Sequence, residues 1–156
     1  MNLRQLIQET EACVRDEIAA QERYAELIRN QLEAARTNDT EALIESAETF
    51  DRELSGNVER ERRRRRLLAG FSRFWSIDPS VITLGSIAER LGPHGEGLDS
   101  LRLVLRSKTA EVLQLGRSLS AVARQHHALM EDLFRVIAGE GPGVEDGRGT
   151  LVNAEA

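Results

Sequence analysis

Residues 101–136 read LRLVLRSKTAEVLQLGRSLSAVARQHHALMEDLFRV. Within them Leu101, Leu105, Lys108, Val112, Leu115, Leu119, Val122, His126, Leu129, Leu133 and Val136 follow one another by steps of four and three residues. Nine of these eleven positions are apolar. A stepping pattern of that kind is a heptad seam, here sustained over about five repeats. It predicts one long helix over 98–138 whose apolar face meets other helices.

The same spacing recurs upstream. Leu3, Leu6, Ile7, Cys13, Val14, Ile18, Tyr24, Leu27, Ile28 and Leu32 recur at three and four residues, with no Gly or Pro between Leu3 and Arg36. That predicts a first helix over 3–36. Thr37-Asn38-Asp39-Thr40 breaks it, and Asn38 followed by Glu41 reads as an N-cap with its capping-box partner. A second helix is expected over 40–70, with Leu43, Ala47, Phe50, Leu54 and Val58 on one face. So short a turn favours an antiparallel hairpin.

Phe71, Phe74 and Trp75 open a different segment. Pro79 holds Asp78 out of the helical region, so Ser76-Ile77-Asp78-Pro79 is a turn. Thr83 can cap a short helix over 84–91, which Gly92-Pro93-His94-Gly95 ends. The expected fold is therefore all-α: an elongated antiparallel hairpin or bundle with coiled-coil character, forming a single helical domain over 1–138. Residues 139–156 hold five glycines and one proline and read as a flexible, disordered tail.

Composition agrees with helices packed in narrow seams. Charged residues make up 30% of the chain and aromatic residues 4%, so Leu, Ile, Val and Ala must fill the interior. The formal charge of -5 disfavours general binding to nucleic acid. The single cysteine, Cys13, rules out an internal disulfide framework and reads as a small residue on a helix seam. No stretch approaches the roughly 20 apolar residues of a spanning helix, and Met1 to Ala12 lacks the apolar core of a secretory signal. A cytoplasmic protein without membrane insertion is expected.

Candidate chemistry is sparse. His126 and His127 point about 100° apart on a helix and cannot share a metal. His126 lies on the seam, where one polar residue can fix helix register. Glu9, Glu11, Asp16, Glu17 and Glu22 read as a solvated outer face of the first helix, not as an acid–base pair. No phosphate loop, nucleophile elbow or metalloprotease helix occurs. We therefore expect no catalytic residues, no metal and no cofactor. Arg62, Arg63, Arg64, Arg65 and Arg66 follow Glu59-Arg60-Glu61. They read as a helix end partly neutralised by Glu59 and Glu61, or as a contact for an anionic surface or an acidic partner protein. Residues 83–92 resemble the first helix and turn of a helix-turn-helix, the basis of an alternative reading as a DNA-binding regulator.

The order of these pieces resembles the FlgN family, the flagellar export chaperones for hook-associated proteins. The resemblance rests on the long first helix, the turn Asn38-Asp39-Thr40-Glu41-Ala42-Leu43, the Arg- and Leu-rich end of the second helix at 62–68, the small helix opened by Ile82-Thr83-Leu84, and the long last helix. Where that family's last helix carries an Asn followed by apolar side chains, this chain has His126, Leu129 and Met130; Glu145-Asp146-Gly147-Arg148-Gly149 lacks the family's tail tyrosine. The resemblance implies a non-enzymatic export chaperone that covers helical termini of hook-associated proteins and hands them to the flagellar type III export apparatus. The expected client surface is Leu115, Leu119, Val122, His126, Leu129, Met130, Leu133, Phe134 and Ile137. A second copy could take the same face as a homodimer, and a generic coiled-coil adaptor or assembly factor is the alternative function.

Overall fold

Asn2 opens the first helix. Its side-chain oxygen accepts the Gln5 N–H at 2.9 Å, and the Gln5 side chain accepts the Asn2 N–H at 3.2 Å, a reciprocal capping box. In the computed structural model, which describes residues 2–137, the chain then runs as helix α1 (Leu3–Thr37), α2 (Thr40–Ser55), α3 (Asn57–Trp75), α4 (Leu84–Leu91) and α5 (Glu96–Ile137). Short 3-10 turns lie at Pro79–Val81 and Gly92–Gly95. The fold of the described residues is all-α. Contacts cluster into two units, one up to Ser120 and one from Ala121 onward. The glycine-rich tail expected at 139–156 lies outside the described residues.

The turn between α1 and α2 divides its work differently from the sequence reading. Asn38 does not cap α2; it closes α1 in the left-handed conformation at φ 54°. Asparagine tolerates that conformation better than most side chains. The next residue, Asp39, is extended and accepts the Ala42 N–H at 3.0 Å, so Asp39 is the N-cap.

The helix expected over 40–70 is two helices, and its end lies further on. Gly56 interrupts the ladder with right-handed dihedrals of φ -66° and ψ -15°, a bend and not a loop. Gly70 does not stop α3. A helical glycine costs about 1 kcal/mol against alanine, which is less than full burial of an aromatic side chain returns. Phe71, one residue on, is 0% exposed and stacks on Trp75 with centroids 5.0 Å apart. Ser76 at φ 54° ends α3 instead.

Within the first unit α1 is the spine. α2 and α3 return along it in the antiparallel sense: Tyr24 meets Phe50 at 5.5 Å between ring centroids, Arg23 meets Glu53 at 3.1 Å, and Asp16 meets Arg63. α5 runs the other way, parallel to α1, since Gly97 lies against Glu11, Lys108 against Glu22 at 3.4 Å, and Glu111 against Arg29. The result is an up-down-up arrangement.

The core sits at the base, where Leu6, Cys13, Val14, Leu67, Phe71, Ile82, Ile87, Leu91 and Leu98 are buried together. The small helix α4 closes it. Thr83 caps α4, as its sequence indicated, and Ser86 returns the hydrogen bond. Gly92 ends the helix at φ 54°, and Gly95 brings α5 directly against the Ala88 carbonyl. A β-carbon on Gly95 would stand 2.4 Å from that oxygen.

Candidate interaction surface

The seam of α5 changes character along its length. Leu98 is fully buried, and Leu101, Leu105, Lys108, Val112, Leu115 and Leu119 are half-buried in the first unit. Lys108 is tolerated there because it pairs with Glu22 and with Glu111 at 3.6 Å. Of the residues named for client binding, Leu115 and Leu119 thus share the packing of the first unit.

The others belong to the second unit. Val122 is half-buried, and His126, Leu129, Met130, Leu133, Phe134 and Ile137 are exposed. The five large apolar side chains among the exposed ones are 52% to 79% exposed. At 3.6 residues per turn, Leu129, Val122, Leu133, His126, Ile137, Met130 and Phe134 fall within one arc of roughly 140°. His126 lies near the middle of that arc. Single exposed apolar residues are ordinary, but a contiguous band of this kind is a candidate interaction surface. The rest of the circumference carries two short-range pairs, His127–Glu131 at 3.6 Å and Arg135–Asp132 at 3.5 Å.

The arginine run is largely neutralised. Arg62 pairs with Glu59 at 3.7 Å, Arg63 with Asp16, Arg64 with Glu17 at 3.4 Å and with Glu61, Arg65 with Glu61 at 2.7 Å, and Arg66 with Glu59 at 3.1 Å. Arg62, Arg65 and Arg66 still keep more than two thirds of their side chains in water. Exposed pairs of this type contribute little to stability.

One acidic residue does not follow the sequence reading. Glu17 is buried, while Glu9, Asp16 and Glu22 are exposed and Glu11 is half-buried. The spacing of Cys13, Glu17, Ala20 and Tyr24 is four, three and four, so Glu17 is carried on the inward stripe of α1. Its carboxylate meets Arg64 and the guanidinium of Arg60, at 3.8 Å to the Arg60 Nε. Arg60 also donates to the Tyr24 hydroxyl, which donates in turn to the Glu53 carbonyl at 3.3 Å. Arg60 carried no role in the sequence reading; the i, i+3, i+4 stripe through Glu17 was the signal that a buried cation must face it.

α2 also differs. Leu43 and Phe50 turn toward α1, but Ile44 and Leu54 are 55% and 42% exposed, and Val58, expected on the same face, falls in α3 and is 58% exposed. The apolar band of α2 is wider than contact with one neighbouring helix covers.

Cys13 is 5% exposed, and burial pushes its thiol pKa up. No group of His, Cys, Asp and Glu among the described residues is placed to hold a metal ion. No helix among them is long and apolar enough to cross a membrane.

The groove between α4 and the start of α5, where a helix-turn-helix would read DNA, is lined by Glu89, Glu96 and Asp99 against one guanidinium, Arg102. Glu96 and Asp99 occupy the first turn of α5. Carboxylates at the leading end of that helix repel phosphate. No protein-family model, curated protein or solved structure matches this chain.

Proposed function

We propose that this chain is a non-enzymatic, cytoplasmic export chaperone of the FlgN kind. It covers helical termini of flagellar hook-associated proteins, prevents their premature assembly and hands them to the flagellar type III export apparatus. The observation that carries this reading is the exposed apolar arc of the second unit, Leu129, Met130, Leu133, Phe134 and Ile137. The order of sequence elements supplies the link to flagellar clients. A protein that spends a long unpartnered apolar stripe on the outside needs a helical occupant for it.

In this reading the heptad seam acts as a coiled-coil strand, closed by the chain's own helices up to Leu119 and by the client beyond it. The thioether of Met130 adapts to more than one client sequence. The exposed guanidinium groups of Arg62, Arg65 and Arg66 offer a contact for an acidic export component.

The test is co-purification with candidate hook-associated proteins, followed by size-exclusion chromatography with light scattering. A discrete complex that vanishes when the clients lose their terminal helices supports the chaperone reading. A self-associated oligomer that ignores those clients supports a generic coiled-coil adaptor instead, with a second copy on the same face.

A further inference from the structure

The outer face of α2 and α3 carries one continuous stripe. Ile44, Glu48, Asp51 and Leu54 on α2, then Val58, Arg62 and Arg65 on α3, follow one another by four, three, three, four, four and three residues. All seven are exposed. Steps of three and four keep side chains on one side of a helix, and right-handed dihedrals at Gly56 join the two parts. Past Ile44 the chemistry along the stripe runs from acid through apolar to base. The two helices divide charge in the same way. α2 holds five carboxylates against Arg52, and α3 holds seven arginines against Glu59 and Glu61.

The two ends also differ in how they are neutralised. Of the α2 carboxylates only Glu53 is ion-paired among the described residues, with Arg23. Arg52 donates to the Glu48 carbonyl and the Thr49 hydroxyl. At the other end Arg62, Arg65 and Arg66 share Glu59 and Glu61, and Glu61 also meets Arg64. A guanidinium has five N–H donors and can serve a second carboxylate.

This pattern is complementary to itself. Laid antiparallel on a second copy, with a twofold axis at Gly56–Asn57, Glu48 comes opposite Arg65, Asp51 opposite Arg62, and Leu54 beside Val58. Ile44 comes opposite Ala69, a small side chain. A parallel copy would set acid on acid and base on base, which is rejected. We infer that this face is a homodimer interface, in which α2 and α3 of one copy pack antiparallel on α2 and α3 of another. It lies wholly in the first unit and does not rest on the reading of the distal α5 face. An acidic export component at Arg62 and Arg65 would have to displace the second copy.

The test is sedimentation velocity on the full chain from about 5 to about 500 μM, at about 50 and about 500 mM salt. Wild type should dimerise, and its dissociation constant should rise about tenfold at the higher salt. Two charge variants carry the argument: Glu48→Lys with Asp51→Lys, and Arg62→Glu with Arg65→Glu. Each alone should stay monomeric while circular dichroism shows it helical. Mixed together they should dimerise, because each then meets the opposite sign along the whole stripe. A wild type that stays monomeric throughout at the lower salt would overturn the inference. So would two helical variants that stay monomeric when mixed. Self-association that survives both charge variants but is lost in Leu129→Ser with Leu133→Ser would place the contact on α5 and overturn it too. Binding of hook-associated termini to the charge variants, measured in parallel, reports on the client reading separately.

Discussion

The guanidinium of Arg60 stands 5.8 Å from the centroid of the Tyr24 ring and donates to the Tyr24 hydroxyl. It thereby joins α3 to the middle of α1 and supplies one of the two cations facing the buried Glu17. Removing one partner of a buried pair is worse than removing both, because the survivor keeps its desolvation penalty. Glu17→Ala should destabilise the chain by about 3 kcal/mol in urea unfolding. The double variant Glu17→Leu with Arg60→Met should recover most of that loss. If the double variant is as weak as the single, the pair is not what holds this part of α1 to α3.

Two glycines make opposite predictions about alanine. Gly95 faces the Ala88 carbonyl with no room for a β-carbon, so Gly95→Ala must push α4 from α5 and should cost about 2 kcal/mol. Gly116 lies inside α5, and a β-carbon added there would meet nothing within 4 Å. Gly116→Ala should stabilise by roughly 0.5–1 kcal/mol through helix propensity alone. Thermal unfolding of the two variants beside wild type decides both signs in one experiment.

The helices were legible because their stripes are long and uninterrupted. Three and four residue steps place both ends of α1 and α4 and the start of α5 within two residues, and Thr83 marks its cap directly. What the sequence obscured is competition between local and tertiary terms. Gly70 looks like a stop until the burial of Phe71 is weighed against it, and Gly56 bends a helix without ending the run. Asn38 and Asp39 both suit a cap, and only the left-handed backbone at Asn38 assigns them. At the candidate surface, periodicity identified the seam but could not say where the chain's own helices stop covering it; in the first unit half-burial lasts through Leu119, and in the second His126, Leu129 and Leu133 are exposed. Glu17 was hidden by its charge, although its spacing from Cys13 and Tyr24 put it inside.

Cys13 makes a pH-dependent prediction. Burial raises its thiol above the ordinary value, with Arg63 opposing that rise and the carboxylates of Glu17 and Asp16 adding to it. A raised value means that the folded chain holds the proton after the unfolded chain has lost it. The contribution to stability is therefore complete below the unfolded thiol's value and is lost as pH rises above it. Wild type should lose stability relative to Cys13→Ala between about pH 8 and pH 10. The native thiol should also react with a disulfide reagent only at the rate of unfolding or local opening. Prompt labelling at neutral pH would contradict that burial.

The exposed and buried leucines of α5 separate folding from binding. Leu98 is 0% exposed in the core, whereas Leu129 and Leu133 are 54% and 55% exposed in the second unit. Leu98→Ala should cost about 3 kcal/mol of stability, since it leaves a cavity among well-packed neighbours. Leu129→Ala and Leu133→Ala should each change stability by less than about 0.5 kcal/mol, because little of either side chain is packed in the free chain. Their effect should fall on client binding. A leucine buried by the partner contributes about 2 kcal/mol, so each truncation should weaken the complex by roughly thirtyfold. Circular dichroism melts and titration against hook-associated termini measure the two quantities on the same proteins. Unchanged binding in the double variant would remove the distal face of α5 as the client surface. Lost stability in place of lost binding would instead mean that the chain buries these leucines itself in solution.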